Sequence, residues 1–138
     1  MLGLYNAIST SVNIPSDNLT ITYGPNWGAI TITGVYLIGN ILRLGLTATR
    51  NTPTTAGDMA NEVVATVIVN HGGKIKNLFT TTASGGATGP SASYAVVCEN
   101  YASDSHKITI NMASVGGAAT NFSTYIEIPA TIIPEAYV

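Results

Sequence analysis

The sequence predicts an all-β protein: an antiparallel β-sandwich, jelly-roll-like, of about eight strands. Three observations carry that expectation. Runs rich in β-branched and aromatic residues recur along the chain, separated by clusters of Gly, Pro, Asn, Ser and Asp at the spacing of sandwich turns. No segment holds a helical period. The connections are too short for crossovers, so neighbouring strands should pair antiparallel.

A chain of 138 residues is long enough to form one core. Only 9% of its residues are charged, against about 25% in average soluble proteins, while 46% are hydrophobic. Hydroxyls and amides must therefore keep it in solution, and such low charge suits a subunit that loses surface to an oligomer. The formal net charge is -2, and Arg43, Arg50, Lys74, Lys76 and Lys107 are scattered. A nucleic-acid or anionic-membrane footprint needs clustered basic residues, so neither partner is expected. Cys98 is the single cysteine; it forms no intrachain disulfide and reads as a small buried apolar residue. The first residues, Met1-Leu2-Gly3-Leu4-Tyr5-Asn6, lack the basic start and apolar run of a secretory signal. No run approaches the roughly 18 apolar residues of a membrane span.

In chain order, residues 1–18 read as an N-terminal arm or linker remnant ending in a turn at 14–18, and residues 19–138 as the sandwich domain. A short strand at 19–23 is broken by Gly24-Pro25-Asn26. Residues 27–50 then form one long hairpin about Gly39-Asn40, which places Leu37 opposite Leu42, Val35 opposite Leu44 and Thr33 opposite Leu46. Both faces of that hairpin are partly apolar. Gly34 is either a bulge that brings Ile30 and Ile32 onto the side of Val35 and Leu37, or room for a neighbouring chain above Gly45. The first alternative gives one buried face; the second gives an oligomer, with Tyr36, Ile38 and Ile41 also beneath it. Residues 51–58 read as a loop, and 62–70 as a strand buried on both sides. A strand at 74–82 should turn Ile75 and Phe79 one way and Lys74 and Lys76 the other, before a loop at 84–91. Strands follow at 93–99, at 106–112 with Ile108, Ile110 and Met112 inward, and at 122–128 with Phe122, Thr124, Ile126 and Ile128 on one side. A polar turn covers 100–105, and prolines keep 129–138 extended.

Nucleophilic catalysis needs a base within reach of Ser or Cys and a third group to orient it. Asp104-Ser105-His106 supplies the residue types, but adjacent positions on a turn and strand point in different directions. The seven carboxylates are widely separated, each near a turn or strand end, and read as solvated rather than as an acid–base pair. The two histidines, one cysteine and the carboxylates show no metal-ligand spacing, and no Gly doublet has the context of a phosphate cradle; no metal or cofactor is expected. Saccharide binding needs only an exposed aromatic face with a few amides and hydroxyls. Tyr101, His106 and Trp27 are the candidates, with Asn100 and Asp104 beside them. Trp27, the one tryptophan and at a strand start, more often fills a core or interface position, whereas Tyr101 lies in a polar loop, where binding residues concentrate, and is the better candidate.

Several of these segments carry a resemblance: the strand opened by Trp27, the hairpin Gly34-Val-Tyr-Leu-Ile-Gly-Asn-Ile-Leu-Arg-Leu44, Asn61-Glu-Val-Val-Ala-Thr-Val67 with His71-Gly-Gly-Lys-Ile75, and the closing Ile126-Glu-Ile-Pro-Ala-Thr-Ile-Ile-Pro-Glu-Ala-Tyr137. Together they resemble the C-terminal domain of phage and prophage tail-fibre or baseplate receptor-binding proteins from Gram-positive hosts. The ending is similar to the apolar-Pro-X-X-Tyr finish of many fibre tips, with Ala136 where those carry glycine. The resemblance implies a β-sandwich that assembles as a homotrimer, contacts other tail proteins and attaches the virion to a host-surface saccharide. It transfers no catalytic or binding residue, because such receptor sites lie in variable loops.

The expected function is thus a non-enzymatic, trimeric viral structural domain for host attachment, located in the virion and reaching the outside by assembly and lysis without a signal peptide. A monomeric carbohydrate-binding module of a bacterial enzyme is the alternative, and a glycan-degrading enzyme the next. Oligomeric state separates the first from the second; turnover that depends on a carboxylate pair would identify the third.

Overall fold

The computed structural model describes residues 11–53, 59–86, 91–115 and 118–137. The described residues form ten strands: β1 (Ser11–Asn13), β2 (Leu19–Tyr23), β3 (Trp27–Ile38), β4 (Ile41–Arg50), β5 (Met59–Asn70), β6 (Ile75–Leu78), β7 (Thr81–Gly86), β8 (Ser91–Ala102), β9 (Ser105–Val115) and β10 (Asn121–Ile132). Two 3-10 turns, Ser16–Asn18 and Pro134–Tyr137, complete the described structure. All pairings are antiparallel, in the order β1-β3-β4-β10-β7-β8-β9-β5-β2, with β6 beside the end of β10. Between β10 and β7 only Ser123 and Gly86 are in register. The hydrogen-bonded path folds over at that weak seam into two five-stranded sheets. The first sheet holds β1, β3, β4, β10 and β6, and the second β7, β8, β9, β5 and β2.

The all-β sandwich expected from the sequence is therefore observed, with ten strands rather than about eight. One extra strand is β1, whose Ser11, Val12 and Asn13 pair with Ile38, Leu37 and Tyr36, and Ile14 just after it is buried in the core. Residues 1–10 of the expected arm lie outside the described residues, as do 54–58 of the loop at 51–58 and 87–90 of the loop at 84–91. The other extra strand arises because the run at 74–82 divides. Its first part pairs with β10, and its second part crosses to β8 in the other sheet. Leu78 rather than Phe79 turns inward as a result, leaving Phe79 half exposed. Ser84, Gly85 and Gly86 belong to β7 instead of a loop, and β8 continues to Ala102, so only Ser103 and Asp104 separate it from β9. The tail is extended to Ile132 and then closes into the second 3-10 turn.

The core lies between the sheets. Val35 and Leu37 from β3, Leu42, Leu44 and Leu46 from β4, and Ile126 and Ile128 from β10 face Val64, Val67, Val69, Val96, Ile108, Ile110 and Met112 from the second sheet. The central hairpin pairs Leu37 with Leu42 and Val35 with Leu44, as expected. Thr33 does not oppose Leu46: the register shifts between Ile32 and Gly34, and Ile32 takes that place. Thr33 is the residue inserted by this bulge. The consequence is the one-buried-face alternative, with Ile30 buried and Ile32 half-buried on the core side. The space above Gly45 is filled from within the chain, since a Cβ there would meet the Thr33 Oγ1 atom and the Tyr125 ring. Gly39 closes the hairpin at φ +57°, a left-handed conformation that glycine adopts without steric cost.

Candidate functional site

Two depressions bring chemistry-bearing side chains together. One lies at the end of the sandwich where the His71-Gly72-Gly73 turn meets the β8–β9 turn. The His71 amide donates to the Asp104 carbonyl at 2.9 Å, Asn70 pairs with Ser105, and the Ile133 amide donates to the Lys74 carbonyl at 2.8 Å. These bonds fix both turns against the close of β10. Between them is a cavity of about 340 Å³ lined by Ile75, Lys76, Asn100, Tyr101, Ala102, Ser103 and His106. Tyr101 sits where the β8–β9 register slips between Asn100 and Ala102, and its side chain is 61% exposed. The bulge thus pushes an aromatic ring out of the ladder.

His106 forms part of that wall, but its ring is almost entirely buried and hydrogen-bonded to a second buried histidine. His71 Nε2 and His106 Nδ1 are 2.8 Å apart. The backbone fixes the proton positions. The Ile75 amide donates to His71 Nδ1 at 3.2 Å, so that nitrogen is the acceptor and the His71 proton is on Nε2. His71 Nε2 then donates to His106 Nδ1, which leaves the His106 proton on Nε2. That last nitrogen is buried and has no partner among the described residues. Both rings are held neutral: burial and the neighbouring His106 push His71 down from 6.5 to about 4, and burial also lowers His106. Among the described residues no hydrogen bond joins the side chains of Asp104, Ser105 and His106, and the ring of His106 is directed to His71 instead.

Of the three residues singled out in the sequence for saccharide binding, the structure brings Tyr101 and His106 to one cavity and places Trp27 elsewhere. Trp27 is at the opposite end of the sandwich, paired with Arg50 across β3 and β4. It is 3% exposed and packs edge-on against Phe122 at 5.8 Å between ring centroids. A buried ring offers no face to a sugar, so Trp27 serves the core there. Beside it Arg50 and Glu62 form an ion pair at 2.9 Å. Desolvation would raise the Glu62 carboxyl, but hydrogen bonds from Arg50 and Asn26 outweigh it and hold the group below its ordinary value.

The second depression, about 410 Å³, lies on the outer face of the first sheet and is lined by Ser11, Thr33, Gly34, Tyr36, Ile38, Arg43, Gly45 and Tyr125. Cross-strand register explains it. Gly34, Gly45 and Tyr125 form one row across β3, β4 and β10, and Tyr36, Arg43 and Glu127 form the next. The Tyr36 ring lies over Gly34, Thr33 Oγ1 and the Tyr125 ring lie over Gly45, and the depression opens as a trough among these side chains. The Arg43 guanidinium carbon stands 4.6 Å from the Tyr125 ring centroid. Sequence reading placed Tyr36 on the second face of the hairpin but missed this site. The signal was present in the Gly34–Gly45 opposition; what it lacked was the identity of β10 as the third strand.

No protein-family model, curated protein or solved structure matches the chain.

Proposed function

We propose that the chain is a non-enzymatic adhesion domain of a phage tail, carried in the virion as a homotrimer among other tail proteins, and that it binds a host-surface saccharide through its turns. The observation that carries this reading is the Tyr101 cavity. An exposed aromatic ring, the Asn100 amide, the Ser103 hydroxyl and the Lys76 ammonium surround a space of about 340 Å³, within the roughly 300–1,000 Å³ range of small-ligand sites. A sugar ring stacks on the tyrosine through its C–H face, and its hydroxyls exchange water for the amide and hydroxyl. Single contacts of this kind are weak, and three copies on one particle multiply them through effective concentration. The low charge of the chain and its exposed Phe79, Val63 and Val97 support burial of further surface between copies.

Two measurements test the reading. Light scattering on the purified chain at micromolar concentration should give a trimer; a monomer that still binds glycan would favour the carbohydrate-binding module instead. Glycan binding should be lost in Tyr101→Ala while the thermal melt is unchanged, because that side chain lies outside the core. Retention of binding in that variant would remove the Tyr101 cavity as the receptor site.

A further inference from the structure

We propose that the trough on the outer face of the first sheet is an oxyanion site, in which Arg43 grips a carboxylate or phosphate group of an acidic glycan. The inference rests on how the chain treats its two arginines. Arg50 makes four hydrogen bonds: its Nε and Nη2 atoms donate to Glu62 at 2.9 and 3.3 Å, and Nη1 donates to the carbonyl and hydroxyl of Thr52 at 3.0 and 3.1 Å. Arg43 makes no hydrogen bond or ion pair among the described residues, and its Nε is buried without an acceptor. Among the described residues its one partner is the Tyr125 ring. A guanidinium carries five N–H donors in a planar fork, and contact with an aromatic face leaves those in-plane donors free. Leaving them unused is costly; the Nη donors, unlike Nε, are not buried and are the ones open to a ligand.

The acceptor that the protein could supply is withheld. Glu127 is the cross-strand neighbour of Arg43 in register, yet it is exposed, forms no ion pair with it and does not line the trough. Arg43 instead lies beside Tyr125, in a trough whose other polar contributors are hydroxyls: Ser11, Thr33, Tyr36 and Tyr125. Among the described residues no carboxylate lines it. A cationic fork among neutral hydroxyls and two aromatic rings fits a sugar that bears a negative group. The rings take the apolar face of the pyranose, the hydroxyls its neutral oxygens, and the fork two oxygens of the carboxylate or phosphate. The trough shares no lining residue with the Tyr101 cavity, so the two sites can be tested separately.

The test uses the full chain at low salt. Glucuronate and glycerol 1-phosphate are titrated by NMR, with glucose as the neutral control. At least one anion should shift the resonances of Arg43, Tyr36 and Tyr125 saturably, and glucose should not. Arg43→Gln should weaken the anion at least about tenfold, and Arg43→Lys should weaken it too, because an ammonium lacks the bidentate geometry. Tyr101→Ala should leave this binding unchanged. A response to glucuronate alone assigns a carboxylate, and to glycerol 1-phosphate alone a phosphate. The proposal is overturned if neither anion shifts those three residues, if glucose shifts them as strongly, or if a folded Arg43→Gln or Arg43→Lys chain binds the anion at the trough like the wild type.

Discussion

Mild acid is expected to destabilise the sandwich through its buried histidine pair. The native state holds His71 neutral, because a charged ring would lose its solvation and lie beside a second histidine; Asp104 works in the opposite direction, and Lys74 adds to the depression. Folded, the group titrates at about 4; unfolded, at about 6.5. A base whose folded value is depressed contributes fully above its unfolded value. The contribution fades as pH falls from 6.5 towards 4 and is gone below that. Proton linkage over that interval puts the loss at roughly 1 to 2.5 kcal/mol by about pH 4.5, the lower figure allowing for water near the turn. His106, also depressed, adds in the same direction. Urea unfolding at a series of pH values between about 7 and 4.5 measures the effect, and above about pH 5 Glu62 keeps its own contribution. The double variant His71→Gln/His106→Gln should show a flatter profile across that interval. Parallel profiles for wild type and variant would refute the assignment of the effect to this pair.

Two further outcomes follow from packing. Trp27→Ala should cost about 3–5 kcal/mol, as truncation of a buried aromatic does, and should lower the melting temperature without being a specific defect in glycan binding; a folded, equally stable variant would contradict its place against Phe122. Gly24→Ala should be severely destabilising, since its new Cβ would collide with the Val63 carbonyl oxygen, a backbone atom with no rotamer to yield. Thermal melting checks it, and a change of less than about 1 kcal/mol would mean that the backbone there relaxes freely.

Much of the architecture was legible because strands announce themselves by alternation and turn residues. The hairpin pairing at Leu37–Leu42 and Val35–Leu44 followed from a two-residue turn alone, and the inward set Ile108, Ile110 and Met112 followed from period two. What escaped depended on partners far along the chain. The division of residues 74–82 between two sheets is imposed by β10 on one side and β8 on the other, and neither is visible locally. The two readings of Gly34 were equally allowed by local sequence, and core packing decided between them. For the same reason Tyr101 and His106 could be named as candidates from their loop context, whereas the trough needed Tyr125 from a strand more than seventy residues beyond the hairpin.

The single inserted residue at Thr33 has a consequence for how this surface can vary. With Thr33 counted in the ladder, strict alternation would turn Ile30 and Ile32 away from the side of Val35 and Leu37; the bulge takes up that odd residue, and deleting Thr33 would leave all four on the core side in a regular ladder. Gly34 beside Gly45 and Tyr36 beside Arg43 follow in unbroken register from the two-residue turn, and the insertion adds the Thr33 side chain over Gly45. The position of the trough is therefore set by the register of the hairpin, while Tyr36, Arg43 and Tyr125 project from the outer face and can be exchanged at little cost to the interior. Such a surface can change what it grips without changing where it grips.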